Sequence, residues 1–256
     1  MRTLSLLAGT LVATLVLSAA NVHAASGIPK PILAAVADPA RPEADRSADV
    51  DRKPDESVAF AGVKPGQKVV DIWPGGGYFT RIFSAVVGPK GHVYAVPPPK
   101  RPNAPPGAPD PAARVQAIAS DPHYNNVSVV ATPLNELSFP EKVDLIWTSR
   151  NYHDFHNIPT FDVAAIDKAV FNALKPGGVF VVLDHSAEKG SGFRDTSTLH
   201  RIDPEAVKKE VEAAGFKFEG QSEILRNAND PHTEKVFETT VKGKTDQFIL
   251  KFRKPK

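Results

Sequence analysis

The sequence predicts an α/β domain in which an open, mostly parallel sheet carries helices on both faces and ends in an antiparallel strand. Three observations predict it. Short apolar runs rich in Val and Ile alternate with segments of helical period, the first run leads directly into a glycine turn, and the last two runs have no helix between them.

The 256-residue chain opens with a single charge at Arg2, an apolar run from Leu4 to about Ala20, and Val22-His23-Ala24 as a small-residue cleavage site. This pattern predicts a signal peptide over residues 1–24 and an exported protein, periplasmic or secreted. The run is marginal for a membrane span, so no integral membrane segment is expected after cleavage. With no cysteine, neither a lipid-modified amino terminus nor a disulfide is expected. Losing Arg2 takes the basic residues from 31 to 30 against 29 acidic ones, which leaves no basic field for nucleic acid. Residues 25–62, rich in Pro, Ala, Asp and Arg, read as an arm lying on the domain. Its Arg46, Asp49 and Arg52 have the spacing of a solvated helix face, from which Arg46 or Arg52 could reach an anionic ligand. Residues 63–256 form the domain itself.

Within the domain, Gln67 to Ile72 predicts the first strand. Pro74-Gly75-Gly76-Gly77 follows, then a helix marked by Phe79, Ile82, Phe83 and Val86 and closed by Gly88-Pro89. His92 to Val96 is a second strand. The proline-rich stretch from Pro97 to Pro111 reads as an irregular insertion, and a helix is expected from about Ala112 to Ser120. Val127 to Ala131 and Val143 to Thr148 supply two more strands. Val163, Ile166, Val170 and Leu174 mark a helix that Lys175-Pro176-Gly177-Gly178 ends, and Val179 to Leu183 is the fifth strand. Asp203 caps a helix with Pro204 at its first position, a stripe of Val207, Val211 and Ala214, and Gly215 as its stop. Phe216 to Leu225 and Gln247 to Phe252 close the sheet. The long polar connection between them reads as a lid or disordered surface, and its His232 has no evident partner.

Ligands of open α/β sheets sit outside the carboxyl ends of the strands, where strand order reverses. After the first strand, Gly75, Gly76 and Gly77 let backbone pass close to a ligand, the next helix offers unpaired N–H groups, and Asp71 would attract a cation. Tight strand-to-helix turns also need glycine for steric reasons alone.

From about Val63 to Pro255 the chain resembles the class I S-adenosylmethionine-dependent methyltransferases, and more narrowly a group of exported predicted methyltransferases. Four features carry the likeness: Asp71 through Gly77, the strand Val143 to Thr148, Leu174 through Gly178 before the fifth strand, and the helix-free final pair. The resemblance implies a Rossmann-like methyltransferase sheet, S-adenosylmethionine as cofactor and a small-molecule acceptor. It places the methionine half of the cofactor on Asp71 and the turn Gly75 to Gly77, with the ammonium near Asp71. The chain departs from the pattern in three places. Trp73 stands where the first loop glycine is usual, as a stacking surface or as a packed aromatic. Pro97 stands near the position of the ribose-binding acid, and Thr132 near that of the adenine-side acid, with Asn135 as its substitute. A nicotinamide cofactor fits less well, because Thr80 replaces the third glycine and no acid follows the second strand.

A second cluster follows the fourth and fifth strands: Ser149 through Asn157, and Asp184-His185-Ser186. His153 or Asp154 is placed to take a proton from an acceptor. His153 and His156, completed by His185 or Asp184, could instead hold a metal. His200-Arg201 could face the same cleft. The competing functions are therefore an exported non-catalytic ligand-binding protein on the same fold, or a metal-dependent enzyme using His153, His156 and His185.

Overall fold

The computed structural model describes residues 27–100 and 104–256, so the expected signal segment lies outside the described residues. Four short helices precede the sheet: α1 Lys30–Val36, α2 Glu43–Ser47, α3 Asp49–Arg52 and α4 Pro54–Ala61. Then come β1 Lys68–Ile72, α5 Tyr78–Val87, β2 His92–Val96, α6 Ala113–Ala119, β3 Val127–Val129 and β4 Val143–Ser149. The remainder is α7 Tyr152–Phe155, α8 Val163–Ala173, β5 Leu174–His185, α9 Pro204–Ala213, β6 Lys217–Ser222 and β7 Gln247–Arg253.

The seven strands lie in the order β3-β2-β1-β4-β5-β7-β6. The pairs from β3 across to β5 are parallel, and β7 is inserted between β5 and β6, antiparallel to both. Strand order therefore reverses at β1, which pairs with β2 on one side and β4 on the other. Successive side chains point to opposite faces, so a strand covered on both sides must be apolar throughout. Val69, Leu145, Trp147, Val181 and Ile249 enter one core with α1, α4, α5 and α6. Val70, Ile146, Phe180, Val182 and Leu250 enter the other with α8 and α9.

The structure differs from the sequence expectation in three places. Lys175-Pro176-Gly177-Gly178 belongs to β5 and is not a break before it: Leu174 is already extended, pairs with Val143, and a register shift between Val143 and Leu145 absorbs the irregularity. Lys175 Nζ fixes this start on Asp144 Oδ1 at 2.7 Å. The arm is part of the core, since Ile32 and Ala35 of α1 are buried with α5. Its charges are a solvated face only in part: Arg46 pairs with Glu43 in the open, whereas Asp49 is held by Arg41, which is 2% exposed and bonds both its carboxylate oxygens at 2.7 and 2.8 Å. The connection from residue 226 to 245 is ordered and anchored. Arg201, fully buried, makes two bonds to Asp230 at 2.7 and 3.0 Å, and His232 bonds Asp246 at 3.0 Å. Among the described residues, no helix is long and apolar enough to cross a membrane.

Candidate active site

The turn after β1 begins with Trp73 in the left-handed region at φ 52°, a conformation an L-residue holds only at a cost. Gly77, at φ +79°, takes the closing position, where a Cβ would collide with the Ile118 side chain of α6. Gly75 and Gly76 are exposed and uncrowded. A Cβ on Gly75 would meet nothing within 4 Å, and one on Gly76 would first meet the Arg114 guanidinium at 4.0 Å. Backbone is thus presented to open space at the carboxyl end of β1.

Asp71 lies beneath the turn, 2% exposed, and accepts a hydrogen bond from Thr80 Oγ1 at 2.6 Å. Thr80, which reads in sequence as a missing glycine, is the residue that ties α5 to β1. Burial pushes the Asp71 carboxyl up to about 7, against the pull of its bonds from Thr80. The Trp73 indole packs edge-on against Phe155 at 4.9 Å and lies 6.0 Å from Phe161, on the α7 side of the turn. Its buried Nε1–H has no acceptor among the described residues. Asn135 is exposed on the 3₁₀ turn Leu134–Glu136 after β3, and no acid follows β2, where Val96 leads into Pro97.

The arm approaches this turn from above. Tyr78, the first residue of α5, donates its hydroxyl proton to Asp49, and the Arg41 and Arg52 guanidinium groups lie 5.3 and 4.3 Å from its ring centroid. Arg81 bonds the Gly76 carbonyl at 2.8 Å and Asp45 of α2 at 3.2 Å. Arg150, directly after β4 and also left-handed at φ 60°, gives its Nε–H to Gln247 Oε1 at 2.9 Å. Burial, followed by the charge of Arg52, lowers its guanidinium to about 10. Among the described residues neither Arg52 nor Arg150 makes a salt bridge to a carboxylate, and Arg52 lies over the Tyr78 ring. Asn151 bridges the switch point, donating from Nδ2 to the Trp73 carbonyl at 3.0 Å and accepting from Thr148 Oγ1.

His153 is buried in α7 and clamped by Asp184 at the end of β5. Asp184 takes the His153 backbone N–H at 2.9 Å and stands 2.8 Å from the ring Nδ1. Burial alone would strip the proton from His153, but the Asp184 charge overrides it and the imidazole titrates above its ordinary value; Asp184 correspondingly lies below the usual carboxylate range. The other ring nitrogen faces His200 Nδ1 at 3.3 Å and Asp154 Oδ1 at 3.4 Å. His200 is brought there by a parallel bridge of Ser186 with Ile202, which lays residues 200–202 beside the end of β5.

The expected trio of His153, His156 and His185 does not converge. His156 turns to Glu210, 3.1 Å away, and stacks on Phe193 at 4.2 Å. His185 is bonded to Thr245 Oγ1 at 2.8 Å, and burial drives its pKa down to about 3. Asp154 and His200 take the positions beside His153. Arg150 and Asn151 lie within the cluster Ser149 to Asn157 that the sequence singles out, and Tyr78 directly after the glycine turn, but no role could be assigned to them because their contacts join distant segments. Asp184 left a signal, a carboxylate at the end of an otherwise apolar strand.

No protein-family model matches the chain. It is 30% identical over 154 residues to the ubiquinone/menaquinone biosynthesis C-methyltransferase UbiE of Vibrio cholerae serotype O1, a match covering 56% of this chain and 52% of that protein. To the protein of the same name from Vibrio vulnificus it is 33% identical over 131 residues, 51% of this chain and 45% of the other. The chain thus spans about half the length of the curated relatives it matches. Among solved structures, a SAM-dependent methyltransferase from Aquifex aeolicus superposes with a TM-score of 0.60 at 18% identity, over 82% of this chain and 95% of that one. The fold is that of the class I S-adenosylmethionine-dependent methyltransferases. Within a class I sheet, the glycine turn after β1 and the cluster after β4 and β5 share one rim, as the Asn151 bridge between them requires.

Proposed function

We propose that the protein is an S-adenosylmethionine-dependent methyltransferase acting on a small-molecule acceptor. The observation that carries this reading is the uncrowded backbone at Gly75 and Gly76 where strand order reverses, in a site that also holds Arg52 over Tyr78 and Arg150 directly after β4, neither of them in a salt bridge to a carboxylate among the described residues. The methionine half of the cofactor is a zwitterion, and the site offers a counterpart to each charge. Arg52 and Arg150 suit its carboxylate, while the Asp71 carboxyl beneath the turn suits its ammonium. The orphaned Trp73 Nε1–H is a further donor at the turn. When bound, the cofactor supplies an electrophilic methyl group on a sulfonium leaving group.

The protein's own contribution is placement and proton management. His153 Nε2, aimed by Asp184, takes the proton of an acceptor hydroxyl, amine or activated carbon, and Asp154 beside it holds the resulting charge. Trp73, Phe155 and Phe161 give the neighbouring wall an aromatic surface.

Calorimetry of the purified chain with S-adenosylmethionine and S-adenosylhomocysteine tests the reading. Saturable binding is expected, weakened about tenfold to a hundredfold by Arg150→Gln. It is expected to be lost in Gly75→Val, whose strain at φ +59° costs about 1–2 kcal/mol while the domain stays folded. Absence of binding by either nucleoside at millimolar concentration would end the proposal. Export through residues 1–24 belongs to the same proposal, and mass spectrometry of the natural protein should find Ala25 as its first residue.

A further inference from the structure

We propose that His153, Asp154 and His200 form a binding site for one divalent transition-metal ion of the zinc type. The three donor atoms make a nearly regular triangle. His153 Nε2 lies 3.3 Å from His200 Nδ1 and 3.4 Å from Asp154 Oδ1, and the last two are 3.6 Å apart. Donors about 2.1 Å from a common tetrahedral centre stand about 3.4 Å from one another. The triangle already has the size an ion needs.

Its chemistry also fits. Two imidazole nitrogens and one carboxylate oxygen are a zinc-type donor set with a fourth position left for an exchangeable group. The site has the outer support such centres use: Asp184, with a fully buried side chain, holds the Nδ1 proton of His153 and leaves Nε2 with its lone pair toward the triangle. His200 sits at φ 55°, a conformation maintained by the Ser186–Ile202 bridge, and its ring rests edge-on against Phe237 at 4.9 Å. Without an ion, the same triangle is held by one imidazole–imidazole hydrogen bond and by pairing of the two histidines with Asp154, whose Oδ1 also accepts from Asn157 Nδ2 at 3.4 Å, so the metal titration is what separates the two. Asp154 and His200 are each about one-third exposed, so the open vertex faces solvent along the rim that carries Asn151 and the glycine turn. An ion there would sit where an acceptor oxygen, nitrogen or sulfur has to be presented, and would polarise it. With the ion bound, the Nε2 lone pair is taken, so the ion replaces His153 as the group that activates an acceptor; the inference itself needs neither the cofactor nor methyl transfer.

The experiment is a titration of the untagged, chelator-treated chain with cobalt(II), read by visible d–d absorption, followed by displacement with zinc in competition with a chromophoric chelator. One equivalent is expected to bind. Affinity should fall by at least about a hundredfold in His200→Ala and in His153→Ala, and by roughly ten- to a hundredfold in Asp184→Asn. His156→Ala and His185→Ala should bind as the parent does. No saturable signal at millimolar cobalt would overturn the proposal, as would affinity that survives His200→Ala, or affinity lost equally in His156→Ala. His200 lies outside the sheet, so its variant decides the matter even if the buried His153→Ala fails to fold. Because no adenosyl ligand is present, a negative result here leaves the methyltransferase reading standing, and the converse holds.

Discussion

At the scale of the residue, Asp71 shows how one side chain can cost stability and serve a site. Its carboxyl, raised from 3.8 to about 7 by burial, binds a proton more tightly in the folded chain than in the unfolded one. Its contribution to stability is therefore full below about pH 4 and is lost as pH rises toward 7, a penalty of at most about 4 kcal/mol. Asp71→Asn keeps an acceptor for Thr80 but cannot ionise. Because buried His185 imposes the opposite slope on both proteins, the difference between their denaturant midpoints is the readout: from pH 4 to 8 it should move in the variant's favour, and the variant should be the more stable protein at pH 8. A difference between the two proteins that stays constant over this range would show that Asp71 is not held in the way its burial implies.

The elements show how the site is held from outside the sheet. Arg41 joins the end of α1 to α3 through Asp49, and Asp49 in turn holds Tyr78 at the start of α5, so the arm is fastened to the residue that follows the glycine turn. Removing one partner of such a pair leaves the other charge stranded. Arg41→Ala is expected to cost about 3 kcal/mol in chemical denaturation. It should also weaken adenosyl-ligand binding, although Arg41 is placed to grip the arm and not the ligand. The sequence made α1 to α4 visible only as an arm with arginines and aspartates at helical spacing. That spacing is the same for a wetted face and for a buried ion pair, and only the position of Tyr78 in the fold decides between them.

For the molecule as a whole, the strands and the glycine turn were legible because each depends on a local pattern, whereas the order of the strands in the sheet was not. An apolar run buried on both faces has no alternation to hide, and a triple glycine after it has few other uses. The strands read from Val and Ile runs fell within a few residues of β1 to β4. The cluster after β4 and β5 was half legible: His153 and Asp154 stand out by type and place as candidates for proton transfer, but the metal set expected from the sequence, His153 and His156 with His185 or Asp184, does not form. His200, placed before the Asp203 cap, was legible as a residue that could face the cleft, but its partnership with His153 and Asp154 depends on the Ser186–Ile202 bridge. The domain boundary at residue 63 was the least legible feature, since Ile32, Ala35, Val58 and Ala61 complete the core around α5. A chain starting at residue 63 should bind a hydrophobic dye and lose near-ultraviolet circular dichroism, whereas one starting at residue 27 should do neither. Equal native signals from both would show that the four helices are dispensable.

The position of β7 bears on how the molecule is assembled. Strand β6 is synthesised earlier, yet it has no neighbour in the sheet until β7 arrives to separate it from β5. A nascent chain that has not yet delivered Gln247 to Arg253 carries two sticky flanks side by side, each a template for the wrong partner. Both flanks are closed at once, by the single insertion of β7 between β5 and β6.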